Sequence, residues 1–351
     1  MLGPFPSPCA ASRASAAQRQ AGLTKPPGSL GRLETLAVDI AAWQATTSPA
    51  VRPAQVIIFA ADHPIALAGV SPYPQAVTAA MVDNFISGGA ASSVMAGRLG
   101  VPMRVVDVGV ARGPRSGGPA ATSAAAMLER SPVADASEGD VRAEDAMSAP
   151  VFAAAIDAGR RVVDTLPPDT RTVILGEMGI GNSTLAAAVT SALCDLPPDI
   201  VTGPGTGSAG ECLARKLDAV RRACGRVAGS PPLDILRRAG GREMAAIVGA
   251  AAAALARRMV VVVDGFICSA AIATLVATEP AARPGTIFAH AGAEPGHRHL
   301  LEWLGVRPLL ALDMALGEGT GGLAAFPLLD LACATHDFMA SFAEAGVPDR
   351  D

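Results

Sequence analysis

Residues 172–189 read TVILGEMGIGNSTLAAAV. Thr172–Gly176 is a short β-rich apolar run, glycines interrupt it at 176, 179 and 181, and an Ala/Leu stretch opens near Ser183. The pattern predicts strand, glycine turn, helix. The unpaired N–H groups and positive dipole end of such a helix start suit an anion. The spacing Gly176-x4-Gly181-Asn182-Ser183 nearly matches a triphosphate-binding loop, but Asn182 stands where that loop carries Lys. A single phosphate, or a nucleotide lying across the turn, fits better. A tight turn capped by Asn or Ser explains the same residues without a ligand.

The alternation extends along the chain. Apolar runs at Val56–Ala61, Met103–Val110, Met259–Asp264 and Thr286–His290 read as further strands. Helix-like stretches are Ala76–Leu99, Val151–Thr165, Thr184–Leu193, Glu243–Ala256 and Ile267–Ala277. Continuously apolar strands between helices predict an α/β fold, a Rossmann-like parallel sheet covered by helices on both faces. Ligands in such folds bind beyond the carboxyl ends of the strands, so polar motifs there carry most weight. The first forty residues and a helix from about Ala324 fall outside this alternation. We expect them to form a small helical domain from both chain ends, residues 1–48 plus 322–351, beside a large α/β domain of residues 49–321.

Half of the 351 residues are apolar, but only nine Phe, two Trp and one Tyr are aromatic, so Ala, Val and Leu must fill the core. Net charge is −4 with no basic stripe, which gives nucleic-acid binding no support. Six scattered cysteines show neither CxxC nor zinc spacing, as expected of reduced thiols in a cytoplasmic protein. The N-terminus shows no signal-peptide pattern. Met244–Ala277 is apolar enough to suggest a membrane segment, but Arg257, Arg258 and Asp264 interrupt it. Buried helix, buried strand and second helix explain it better. Residues 112–149, rich in Gly, Pro, Ser and then acidic groups, read either as a long loop or lid near the site or as a surface insertion.

Two more glycine-rich segments stand out, TGPGTG at 202–207 and LGEGTGG at 316–322. Glu318 lies between Gly317 and Gly319, where backbone can approach a ligand and a carboxylate can take a proton. A solvated Glu in an ordinary turn is the alternative. His63 follows a strand end, and His297 and His299 mark a helix start. No metal-binding spacing is present, and a lone His after a strand is more often a structural hydrogen-bonder.

In order, KPPGSLGRLE (25–34), ADHPIALAGVSPYPQAVT (61–78), GEMGIGNST (176–184), VDGFICSAA (263–271), AHAGAEPGH (289–297) and LGEGTGG resemble the nicotinate-nucleotide–dimethylbenzimidazole phosphoribosyltransferase family. The likeness covers roughly residues 22–335. It implies transfer of ribose phosphate from nicotinate mononucleotide to a benzimidazole, no cofactor and no metal, and a homodimer. It implies Glu318 as general base and Glu177 as an organiser of the site. It assigns nucleotide-binding backbone to Gly176, Gly179 and the 203–207 loop with Gly203 and Gly205, and a nucleotide-binding lysine to Lys216. Leu316 and Gly292 fall at substrate-binding positions. The sequence departs from the family where Tyr73 and Met81 replace a usual Ser and Gln of the base pocket, Ala315 a usual Arg, and Gly292 a usual Ser. These departures leave open a purine or phenol acceptor. A non-catalytic nucleotide-binding protein is the more distant alternative.

Overall fold

Strands that lie between two helical layers must be apolar on both faces, and these are. The computed structural model describes residues 2–111, 127–205 and 207–348. The chain runs through α1 (Ala10–Gly22), α2 (Arg32–Gln44), β1 (Ala54–Ala61), α3 (Val77–Ser87), α4 (Ala91–Leu99), β2 (Met103–Gly109) and β3 (Met127–Arg130). It continues with α5 (Ala149–Asp164), β4 (Thr172–Met178), α6 (Asn182–Cys194), α7 (Pro198–Val201), α8 (Gly210–Val227), α9 (Pro232–Ala239) and α10 (Arg242–Ala256). Then come β5 (Val260–Val263), α11 (Phe266–Thr278), β6 (Thr286–Phe288), β7 (His290–Ala291), α12 (Pro295–Trp303), β8 (Leu310–Ala311), α13 (Thr320–Phe338) and α14 (Phe342–Ala345). Every residue of β1, β4 and β5 is buried.

The main sheet has the order β3-β2-β1-β4-β5-β6, and all its pairings are parallel. The chain winds outward from β1 in one direction and from β4 in the other. Their carboxyl ends therefore part around a crevice, the usual ligand position in an open parallel sheet. β7 and β8 form a separate two-stranded parallel pair.

The scarcity of aromatics has a packing consequence. A Cβ on Gly159 of α5 would collide with the carbonyl of Ala246, and one on Gly249 of α10 with that of Ile156. These two helices touch backbone to backbone, which only small residues permit. The α10–β5–α11 stretch is the apolar segment that resembled a membrane span. It wraps the centre of the sheet, and no helix among the described residues is long and apolar enough to cross a membrane.

The chain ends meet. Leu23 and Ser341 form an antiparallel bridge, and the Arg19 guanidinium donates to the carbonyls of His336 (2.7 Å) and Asp337 (2.8 Å). The Trp43 indole N–H donates to the Met259 carbonyl (2.8 Å), tying α2 to the start of β5. α13 begins under the sheet, where a Cβ on Gly322 would meet Ile174, and runs out to the chain-end helices.

Some expected elements differ. The expected helix 76–99 is two helices, broken at Gly88-Gly89, with Gly88 in a left-handed conformation. Residues 127–149 are not a simple loop. They supply edge strand β3 and bury Val133, Val141 and Met147. Asp145 accepts from Arg226 (2.8 Å), Arg237 (3.1 Å) and Arg238 (2.9 Å), which pins this segment to α8 and α9. The rest of the expected loop, residues 112–126, lies outside the described residues.

Candidate active site

β4 delivers Glu177 to the crevice. Its carboxyl is buried, accepts a short hydrogen bond from the Asn182 amide, and sits where a Cβ on Gly317 would otherwise be. Next to it, Gly317, Glu318 and Gly319 all have left-handed backbone, with φ of 83°, 62° and 78°. For Glu318 this conformation is costly, by about 1–3 kcal/mol, and such strain collects at functional sites. Two contacts hold the turn. Gly176 passes so closely beneath it that a Cβ there would lie 2.5 Å from the Gly319 nitrogen. Asp264, the residue after β5, accepts the N–H of Gly319 (3.0 Å) and of Gly322 (2.9 Å).

Burial raises both cavity carboxyls. Glu318 is pushed up to about 7, by burial and then by repulsion from Asp264. Glu177 is pushed up to about 8, by burial first and then by Asp264, Glu243 and Glu318, with the Asn182 bond opposing. Asp264 is also raised by burial, against the pull of His290 and its backbone donors. One oxygen of Glu318 is buried with no hydrogen-bond partner among the described residues.

These groups face a cavity of about 540 Å³ beyond the ends of β4 and β5, a size usual for small-molecule sites. Of the residues singled out from the sequence, Tyr73, Met81, Glu177, Gly179, Gly205, Gly292, Leu316 and Glu318 line it. Gly176, Gly203 and Lys216 stand behind its wall. Gly176 is the seat of the Glu318 turn rather than exposed lining. The Lys216 ammonium is buried and donates to the Ser183 hydroxyl (3.0 Å) and the Gly203 carbonyl (2.8 Å). Burial lowers its pKa, with Glu294 opposing. Thr206 of the 203–207 loop lies outside the described residues.

Asn182 and Ser183 of the expected anion-binding turn line the cavity, whereas sequence reading missed Asp264 and His290 as site groups and Phe266 and Glu294 as lining. Asp264 and His290 were visible only as the last residues of predicted strands, which is the signal that could have found them. His297 lies behind His290 in an edge contact, with ring centres 5.9 Å apart. Its Nδ1 accepts the Gly292 N–H (3.0 Å), so its Nε2 carries the proton facing Ser269 (3.0 Å), and burial pushes its pKa down to about 3. His63 is structural: Glu138 lies 2.8 Å from Nδ1 and Glu243 3.3 Å from Nε2. Burial opposes its charge, but the two carboxylates win and hold its pKa well above 6.5.

Comparison with known proteins agrees with this geometry. A family model described as "Phosphoribosyltransferase" matches residues 5–347. The nicotinate-nucleotide–dimethylbenzimidazole phosphoribosyltransferase of Pseudomonas aeruginosa (strain UCBPP-PA14) is 46% identical over 341 residues, 96% of this chain and 95% of that protein. That of Xanthomonas oryzae pv. oryzae is 44% identical over 351 residues, 99% of this chain and 98% of that protein. The crystal structure of CobT from Thermus thermophilus superposes with a TM-score of 0.87 at 39% identity, covering 97% of this chain and 100% of that one. The chain belongs to the nicotinate-nucleotide–dimethylbenzimidazole phosphoribosyltransferase family.

Proposed function

We propose that this protein transfers the 5-phosphoribosyl group of nicotinate mononucleotide to 5,6-dimethylbenzimidazole, giving α-ribazole 5′-phosphate and nicotinate. The observation that carries the reading is the Glu318 carboxyl, buried at a strained turn with one unpartnered oxygen, in a chain of this family. A pKa of about 7 leaves much of it ionised at neutral pH, yet basic enough to accept a proton.

The chemistry is one substitution at C1′. The unprotonated imidazole nitrogen attacks C1′, and the N–H proton on the other ring nitrogen passes to Glu318. The bond from C1′ to the pyridinium nitrogen breaks, and its electron pair leaves with the ring. Departure neutralises the pyridinium nitrogen, so the leaving group needs no metal or cofactor to assist it. Attack on the opposite face converts the β-nucleotide to an α-riboside. Positive charge on the ribosyl carbon in the transition state is favoured by the negative field of ionised Glu318. The α6 N-terminus with Ser183, and Lys216 behind it, are the groups suited to the 5′-phosphate. Tyr73, Met81 and Leu316 give the cavity an apolar rim for the acceptor. We further assign the chain a small helical domain from its two ends, a homodimer, and a cytoplasmic location.

The test is to incubate the protein with nicotinate mononucleotide and 5,6-dimethylbenzimidazole and analyse products by mass and chromatography. Equimolar nicotinate and an α-riboside phosphate are expected. Product with a purine or phenol but none with benzimidazoles would overturn the acceptor assignment. Nucleotide binding without turnover would overturn the reaction.

A further inference from the structure

The geometry points to Asp264 as the positioning residue of the general base: its carboxylate anchors the Gly317–Gly319 turn that carries Glu318. This rests on the reading of Glu318 as base. Asp264 is 1% exposed, so burial disfavours its charge and the contacts it makes must offset that cost. The return is structural. One oxygen accepts the N–H of Gly319, immediately after the base, and the other accepts the N–H of Gly322 in the first turn of α13. Asp264 thus caps α13 and fixes the residue that follows Glu318. Gly321 has no room for a Cβ, which would strike His290 and come within 2.9 Å of the Asp264 carboxyl, so the helix start is moulded to this anchor.

Without the anchor, the turn keeps the floor at Gly176 and the bonds from the Thr320 N–H (3.0 Å) and hydroxyl (2.7 Å) to the Gly317 carbonyl, but loses the side chain that ties the residue after Glu318 to the end of β5. An amide at position 264 can still accept one of the two N–H groups. Its other end is itself a donor and would face the second N–H, leaving a donor unpaired. Misplacing a reacting group by about 1 Å can cost on the order of 100-fold in rate.

The charge has a separate consequence. Asp264 holds the Glu318 carboxyl up after burial has done so. The other titratable groups at the cavity are Tyr73, Glu177 on β4, His290 on β7 and Glu294 ahead of α12, with Glu243 of α10 behind Glu177 and Cys268 of α11 beside Asp264.

The experiment is the pH dependence of kcat for wild type, Asp264→Asn, Glu318→Gln and the double variant, with unfolding curves for each. The wild-type acid limb should lie near 7; a limb at 4–5 overturns the reading of Glu318 as a carboxyl raised by burial, whether or not any variant folds. Asp264→Asn should lose about 10- to 100-fold in kcat and shift the acid limb to lower pH. A merely structural role would lower kcat without moving the limb. In the Glu318→Gln background, Asp264→Asn should cost little more, because the two act through one group. Full additivity, or an unshifted limb in a folded Asp264→Asn protein, overturns the proposal. Near-normal turnover of Glu318→Gln is a different failure: it removes the general-base reading itself.

Discussion

Two clusters of buried charge share one end of the sheet and are built on opposite principles. Around His63, at the end of β1, two cations face two carboxyls: Glu138 and Glu243 flank the ring, and Arg242 donates to Glu138 (3.1 Å), although the Glu243 oxygens have no hydrogen-bond partner among the described residues. Around Glu318, between β4 and β5, three carboxyls crowd together, and the cationic neighbours that would neutralise them are not supplied by the described residues in equal number. The first cluster raises the pKa of its base and keeps it charged. The second pushes its acids up toward neutrality. A balanced cluster holds the fold. An unbalanced one is completed by a cationic substrate, here a pyridinium nucleotide. The Glu318 cluster faces the cavity and the His63 cluster lies just behind its wall, where His63 packs under Gly179, so the comparison is between neighbours rather than between core and surface.

The contrast can be broken by mutating each side. His63→Ala should show the largest effect on stability. It strips both carboxylates of their shared partner, and breaking a buried pair typically costs about 3–5 kcal/mol. Urea unfolding at pH 6 measures it; a loss below about 1 kcal/mol would mean that the cluster is not a structural brace.

Glu177→Gln should act in the other direction, and only at higher pH. A carboxyl whose folded pKa is raised stabilises the fold fully below its unfolded pKa, near 4.3, and that contribution is lost as pH rises through the folded value of about 8. The neutral amide suffers no such loss. The variant should match wild type at pH 4.5 and exceed it by about 1–3 kcal/mol at pH 8.5. An advantage independent of pH would argue that Glu177 is not held protonated.

The smallest effect concerns the acceptor. Met81 presents an apolar side chain to the cavity, so hydroxylated benzimidazoles find less to pair with there. Met81→Gln should shift the kcat/KM preference from 5,6-dimethylbenzimidazole toward 5-hydroxybenzimidazole by about tenfold or less. No change in competition assays would place the acceptor against other residues.

The legible parts of the molecule and the hidden ones differ for physical reasons. β1, β2, β4, β5 and β6 were readable because a strand between two helical layers must be apolar throughout. β3 was not, since Met127–Arg130 is an exposed edge with a polar sequence. α8 was hidden because its buried stripe consists of Lys216, Ala219, Val220, Ala223 and Val227, small residues and a lysine among many charges. Glu318 was legible through its glycine frame, and Glu177 only through the family resemblance of GEMGIGNST. Asp264 and His290 were not, because a single polar residue at the end of a strand has no pattern. Only folding brings them beside the glycine turn, and only burial shows that Lys216 reaches Ser183.

The central claim is that Glu318 takes the acceptor's proton. Its most direct test is the single-turnover rate of α-riboside formation by Glu318→Gln, with enzyme in excess over nicotinate mononucleotide. Gln keeps the size and polarity of the side chain and removes only its basicity, so the fold and nucleotide binding should survive. The account predicts a rate lower by about 100-fold or more, with unfolding stability at least equal to wild type above pH 7. A rate within a few-fold of wild type would contradict it.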